Sequence, residues 1–298
     1  MNPVHLAIER AGAYFAGRDT RQGFVARRLV GQPRPDDDRL AETLMRERRA
    51  RLRGDGSAGG DLVATAWAAW ELMDLGAVPS TRAVQRAVAW ILGRQEKDGA
   101  FALGCTPRRH ELRLCEHAIG GFFAYRSPGR TVRRLVLPSG ATVTSDQGAR
   151  FLASCFALRT VLRAGQEEQT LVRRHIGSLL TLPKMWDSWG GLWAPTLTVG
   201  ALAAIAWAPP PFRGQLPILA EHLALNQKPD GSWRNLDIVH AVDALSAVPL
   251  PQAKEAVALA APRLAKMQTT KGTVGDGPHA EERTLISLRA WLIAREYA

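Results

Sequence analysis

Within residues 235–245, Asp237, His240 and Asp243 recur at three-residue intervals. On a helix this spacing lines them along one flank. A carboxylate one turn from an imidazole can orient the ring and raise its basicity, which suits a general base or a metal ligand. One repeat later come Asp276, His279, Glu281 and Glu282. If the two segments open neighbouring helices, Asp237, His240 and His279 could converge at a cavity mouth, as catalytic groups or as ligands of zinc or magnesium. The same residues also fit two capped helix starts, with Asp237 and Asp276 accepting from backbone amides.

A second constellation is His110, Arg113 and His117 at i, i+3 and i+7, preceded by Arg108 and Arg109. Arginines at a helix N-terminus suit a diphosphate or a carboxylate, and equally a solvated basic helix end. Cys115 lies about 200° around that helix from His117, so the two are not co-ligands. Tryptophans form a third feature: Trp67 and Trp70 share one helical segment, while Trp186, Trp189 and Trp193 share a loop. Ring faces can stabilise a cation, stack on a sugar or fill a core. Trp67, Trp189 and Trp193 are the candidates for contact with a substrate.

Composition bounds these readings. Of 298 residues, 46% are hydrophobic and 22% charged, the balance of a globular protein. The formal charge of +11 favours an anionic ligand or surface. Three cysteines, Cys105, Cys115 and Cys155, cannot all pair and show no CxxC spacing, which points to free thiols in a reducing compartment. The N-terminal segment lacks the apolar core of a signal peptide, so the expected location is cytoplasmic, with the basic exterior allowing association with a membrane. Residues 192–212 carry no charge, but Pro195, Gly200 and three prolines at 209–211 suit a buried helix better than a membrane span.

The elements that must position the candidates are helices. Turn signals at Asp55-Gly56, Asp98-Gly99, Gly190-Gly191, Asp230-Gly231 and Gly272 recur roughly every 40 to 45 residues, apart from one double gap broken near Gly140. Between them the spacing predicts helical pairs at 61–76 with 80–95, 195–207 with 214–227, and 236–247 with 251–268. Single helices are predicted near 110–126, 146–165, 168–181 and 280–297, with two more at 3–17 and 37–53. Alternating β-branched residues around Pro138-Ser139-Gly140 predict a β-hairpin within 130–146. The first helix of each pair is small and apolar, the second amphipathic, so the first belongs inside and the second outside. Six pairs can close into an all-α, (α/α)6-type toroid whose inner-helix ends border a central cavity. The whole chain, 1–298, reads as one such domain: N-terminal helices and a proline-rich loop over 1–53, helical-pair repeats over 54–298.

Arg86-Ala87, Trp90-Ile91, Gln95, Gly99 and Phe101 resemble the QW motif of squalene–hopene and oxidosqualene cyclases, with Phe at the position usually held by Trp. The pattern returns as Leu223, Gln227, Gly231 and Trp233, with weaker echoes at 264–275 and 186–193. The resemblance is to the terpenoid cyclase and protein prenyltransferase toroids, and it implies catalysis at the cavity-facing ends of the inner helices. Prenyltransferases build a zinc site there from Asp, Cys and His; here no Asp-x-Cys precedes the histidine. Class II terpene cyclases protonate an alkene with Asp-x-Asp-Asp, of which this chain has only Asp36, Asp37 and Asp38 after Pro35, on an acidic helix start. The resemblance implies an enzyme that holds an isoprenoid or similar apolar lipid in the cavity and its anionic head at Arg108, Arg109 and Arg113. The alternatives are a non-catalytic toroid binding a protein partner or an anionic membrane, and a carbohydrate-active toroid; nucleic acid is not the expected partner.

Overall fold

The computed structural model describes residues 2–94, 134–144, 146–180, 195–214 and 216–297. Twelve α-helices lie in these segments: α1 (Pro3–Ala16), α2 (Arg21–Leu29), α3 (Asp37–Arg51), α4 (Leu62–Asp74), α5 (Arg82–Leu92), α6 (Asp146–Arg163), α7 (Thr170–Leu180), α8 (Pro195–Ile205), α9 (Leu216–Leu225), α10 (Ile238–Ser246), α11 (Pro251–Lys266) and α12 (Ala280–Tyr297). The strands β1 (Leu135–Val136) and β2 (Thr142–Val143) pair antiparallel just before α6, with Leu135 opposite Val143.

The even-numbered helices form the inner layer. Helix α4 packs on α2 and α6, α8 on α6 and α10, and α12 on α10 and α2, which closes a ring of six. The odd-numbered helices lie outside, each against its inner partners, and α1 also packs on α11 and α12 so that the two ends of the chain meet. The fold is an all-α, (α/α)6 toroid with an inserted β-hairpin. Side-chain chemistry explains the sorting. Nearly every residue of α8 that is described is buried, as an apolar helix without a polar face requires. Helix α5 instead buries only Val84, Ala87, Val88 and Ile91, at i, i+3, i+4 and i+7, and turns Arg82 and Arg86 outward.

One inner helix departs from the expectation. Residues 21–29, RQGFVARRL, have too few apolar residues to read as an inner element, yet α2 completes the ring with Phe24 and Ala26 buried. Its buried arginines are neutralised by distant carboxylates: Arg27 by Asp37, and Arg21 by acids on α4 and α12. The first 53 residues therefore supply one inner and two outer helices of the ring.

Three turns after outer helices share one geometry. The amide N–H of Arg53, Lys228 and Thr269 donates to the carbonyl of Ser57, Ser232 and Thr273 respectively, and Gly56, Gly231 and Gly272 occupy positive φ. Gln227 Nε2 donates to Gly231 O at 3.0 Å and crosses to Ala256 O on α11 at 2.9 Å. Gln268 Nε2 likewise reaches Gly272 O and, at 3.0 Å, Ala7 O on α1. The amide thus ties each outer helix to the next, while the Trp233 indole donates back to Leu223 O of its own α9. Gln95 and Phe101 lie outside the described residues.

Gly272 has φ +87, and a Cβ there would sit 2.6 Å from Arg10 O on α1. A left-handed side chain costs about 1–2 kcal/mol and displacing packed backbone about 1–3 more. Gly272→Ala is therefore expected to lower the melting temperature by about 5 °C or more. Gly277→Ala, at φ +86 with nothing within 4 Å, is expected to lose less. Equal losses in the two variants would show that the approach to α1 is not what demands glycine.

Candidate functional site

Inside the ring lies a cavity of about 40 Å³. Its walls are Trp67 and Trp70 from α4, Leu152, Cys155, Phe156 and Arg159 from α6, Gly200 and Ala203 from α8, His240 and Asp243 from α10, and Glu282, Ile286 and Arg289 from α12. The turn of the hairpin, Leu137–Ser139, lines it at the end where the inner helices begin. That turn is held from two residues near the start of α12. His279 Nδ1 lies 3.0 Å from Pro138 O, and Arg283 Nη1 donates to Ser139 O at 3.1 Å and to Asp237 Oδ2 at 2.8 Å. Gly140, at φ +81, lies against the His279 ring. A space of this size holds a few waters, whereas small-molecule sites usually measure about 300–1,000 Å³.

Below the apolar walls lies a layer of buried ion pairs. Arg21, 1% exposed, sits between Glu71 (3.4 Å), Asp74 (2.5 Å) and Glu282, whose second polar partner is Gln22 at 3.1 Å. Arg163 pairs with Asp74 at 2.8 Å, Arg159 with Asp243 at 2.7 Å and Arg48 with Glu71 at 2.7 Å. The guanidiniums of Arg159 and Arg163 both lie 4.2 Å from the Trp70 ring centre, and that of Arg21 lies 4.7 Å from the Trp67 ring centre. Burial works against the Asp74 and Asp243 carboxylates. Arg21, Arg163 and Arg289 around the first, and Arg159 and Arg289 around the second, outweigh it and hold both below the ordinary aspartate value. For Glu282 burial prevails over Arg21 and Arg289, and its carboxyl is raised. Burial also keeps the Cys155 thiol protonated.

His240 differs from these. It is 7% exposed, lines the cavity, and its Nε2 has no hydrogen-bond partner among the described residues. Burial lowers its pKa despite the neighbouring Asp243 and Asp237, so the ring is neutral at pH 7. Here the structure corrects the expectation of a raised basicity. Asp243 lines the cavity with His240, but its carboxylate is taken by Arg159 and does not brace the imidazole.

The remaining candidates are placed as follows. Asp237 is the N-cap of α10, with Oδ1 accepting from the amides of Val239 and His240 and Oδ2 from Arg283. His279 holds the hairpin rather than facing the cavity. Asp237, His240 and His279 therefore have separate tasks, and among the described residues no group of three His, Cys, Asp or Glu side chains is placed to hold a metal. Trp67 lines the cavity, tilted against Phe156. Arg108, Arg109, His110, Arg113, His117, Trp189 and Trp193 lie outside the described residues. The acidic run is the start of outer helix α3, where Asp37 is locked by Arg27 and held below the usual carboxylate range, the reverse of a proton donor.

No protein-family model matches the chain, and no curated protein matches it. Among solved structures, a variant of the type II terpene cyclase MstE from Scytonema, in complex with its substrate geranylgeranyl dihydroxybenzoate, is similar over 100% of this chain and 99% of that one, with a TM-score of 0.54. The fold is terpene cyclase-like. Sequence identity is 12%, so the likeness speaks for architecture alone. The apo form of the same cyclase is similar at 13% identity, with a TM-score of 0.48 over 100% and 99% of the two chains.

Sequence reasoning missed Arg159, Arg289 and the hairpin turn as parts of the cavity, and named Glu282 only within the acidic group that follows Asp276. A signal for the two arginines existed: each is a charge embedded in an apolar stretch of an inner helix, a position occupied only by groups with partners or a task.

Proposed function

We propose that the protein is an enzyme of isoprenoid or related lipid chemistry that holds an apolar chain in the lumen of the ring and uses His240 to accept a proton from it. The observation that carries this reading is the buried, unpartnered His240 Nε2 in a cavity walled by Trp67, Trp70, Leu152, Phe156 and Ile286. A neutral imidazole in a site with room for only a few waters can take a proton from a substrate-derived cation, and the neighbouring ring faces stabilise positive charge before it is lost. Trp67 and Trp70 already lie at cation–π distance from guanidiniums, which supports a lumen able to hold positive charge. The resemblance to QW-motif proteins and the terpene cyclase-like fold support the lipid class, and the relative's geranylgeranyl substrate suggests a chain of that kind. On this reading the chain enters past the turn held by His279 and Arg283, and loosening that turn eases entry.

A second reading, a non-catalytic ring, draws on the small cavity. One experiment separates them. Wild-type protein and Arg283→Ala are incubated with geranylgeranyl dihydroxybenzoate and geranylgeranyl diphosphate, then analysed by native mass spectrometry and by chromatography of extracted products. Retained lipid or a new isomer is expected, sooner in Arg283→Ala. Neither retention nor conversion in either protein would leave the non-catalytic reading standing.

A further inference from the structure

A groove of about 380 Å³ runs on the outer face between the C-terminal end of α3 and the start of α5, away from the lumen. Four arginines line it, Arg49 and Arg53 from one side and Arg82 and Arg86 from the other, together with Thr81. Among the described residues no carboxylate forms an ion pair with any of the four. Arg86 Nη2 donates to Arg53 O at 3.3 Å and Arg49 Nη2 meets Met45 Sδ at 3.9 Å, contacts that leave the other N–H groups free. Asp55 feels the Arg53 charge, but its carboxylate is engaged by the amide and hydroxyl of Ser57. Helix α5 itself contains no acidic residue.

The buried and half-buried arginines of the ring are handled differently. Arg21, Arg27, Arg48, Arg159 and Arg163 each have a carboxylate. Four like charges lining one groove without a carboxylate repel each other, and an anion with several oxygens lowers that repulsion. Guanidiniums fit phosphate oxygens in bidentate geometry. Thr81, the N-cap of α5, makes no side-chain bond to the first-turn amides, so they too are oriented toward negative charge at the groove. Among the described residues no aromatic ring lines the groove, which does not favour a single-stranded nucleic acid site.

We propose that this groove binds a phosphate group, carried either by free diphosphate or by an anionic phospholipid headgroup. The proposal stands on the outer surface and does not depend on what the lumen does.

The test uses the full chain as wild type, as the double variant Arg82→Gln/Arg86→Gln, and as Arg39→Gln, a control that removes an exposed charge on α3 outside the groove. Sodium pyrophosphate is titrated by calorimetry at low salt, where such contacts are least screened. Sedimentation with phosphatidylglycerol and with phosphatidylcholine vesicles forms the second arm. Pyrophosphate binding that weakens about tenfold or more in the double variant and stays unchanged in the control supports the site with a free ligand. Sedimentation with phosphatidylglycerol vesicles alone, lost in the double variant, supports it with a lipid ligand. Absence of binding in both arms, or equal weakening by the double variant and the control, overturns it.

Discussion

Replacing Arg21 by alanine is expected to lower the free energy of unfolding by about 3–5 kcal/mol, the usual cost of removing one partner from a buried ion pair. The loss should exceed that of any exposed arginine in the chain. Its three carboxylates would not suffer alike: Asp74 keeps Arg163, Glu71 keeps Arg48, and Glu282 is left with Gln22 and the more distant Arg289. The penalty therefore falls chiefly on Glu282, and it depends on pH. Glu282 has a folded pKa already above its ordinary 4.5, so its contribution is fully present below 4.5 and is lost as pH rises through the folded value. Asp74 has a folded pKa below 3.8 and contributes in the opposite sense, above 3.8, fading as pH falls through its folded value. Removing Arg21 lifts Glu282 further, so Arg21→Ala should be less destabilised near pH 5 than at pH 8. Urea denaturation at both pH values measures this, and the double variant Arg21→Ala/Glu282→Gln should recover part of the loss. A loss below about 1 kcal/mol at pH 8 would mean that these charges are not the joint between α2, α4 and α12.

The same residue explains what the sequence could and could not reveal. Apolar helices such as α8, and the Gln–Gly turns, announce themselves within a few residues, because their causes are local: a missing polar face, a positive φ, an amide at a helix end. Helix α2 does not. Arg21 makes RQGFVARRL read as a solvated segment, and the groups that permit its burial, Asp74 and Glu282, lie 53 and 261 residues away. Asp237 was legible as a cap by its position before Ile238, but its Arg283 partner, 46 residues on, was not. The prediction of a braced imidazole failed for the same reason. Spacing placed Asp243 beside His240, and Arg159, 84 residues earlier, claimed the carboxylate. Periodicity reports which face is buried; it carries no information on which distant charge will meet it there.

His240→Leu is the second variant with a large expected effect, and it separates function from support. Because Nε2 has no partner, an apolar side chain of similar size removes no hydrogen bond from that atom, and stability at pH 8 should be unchanged or slightly higher. Any turnover of a geranylgeranyl substrate should nevertheless fall by about 10²–10⁴, the usual contribution of a positioned proton acceptor. pH supplies a check that needs no substrate. The folded pKa of His240 lies below 6.5, so its contribution to stability is fully present above 6.5 and is lost as pH falls through the folded value. Wild-type protein should therefore lose stability relative to His240→Leu between pH 7 and pH 5. The activity of the wild type should hold as pH falls past 6.5 and decline only when the buried imidazole takes a proton. If the two proteins lose stability in parallel over that range, His240 is not held neutral by the fold. If they diverge and the variant still turns over substrate at the wild-type rate, the imidazole is a buried spectator and the proton leaves by another group.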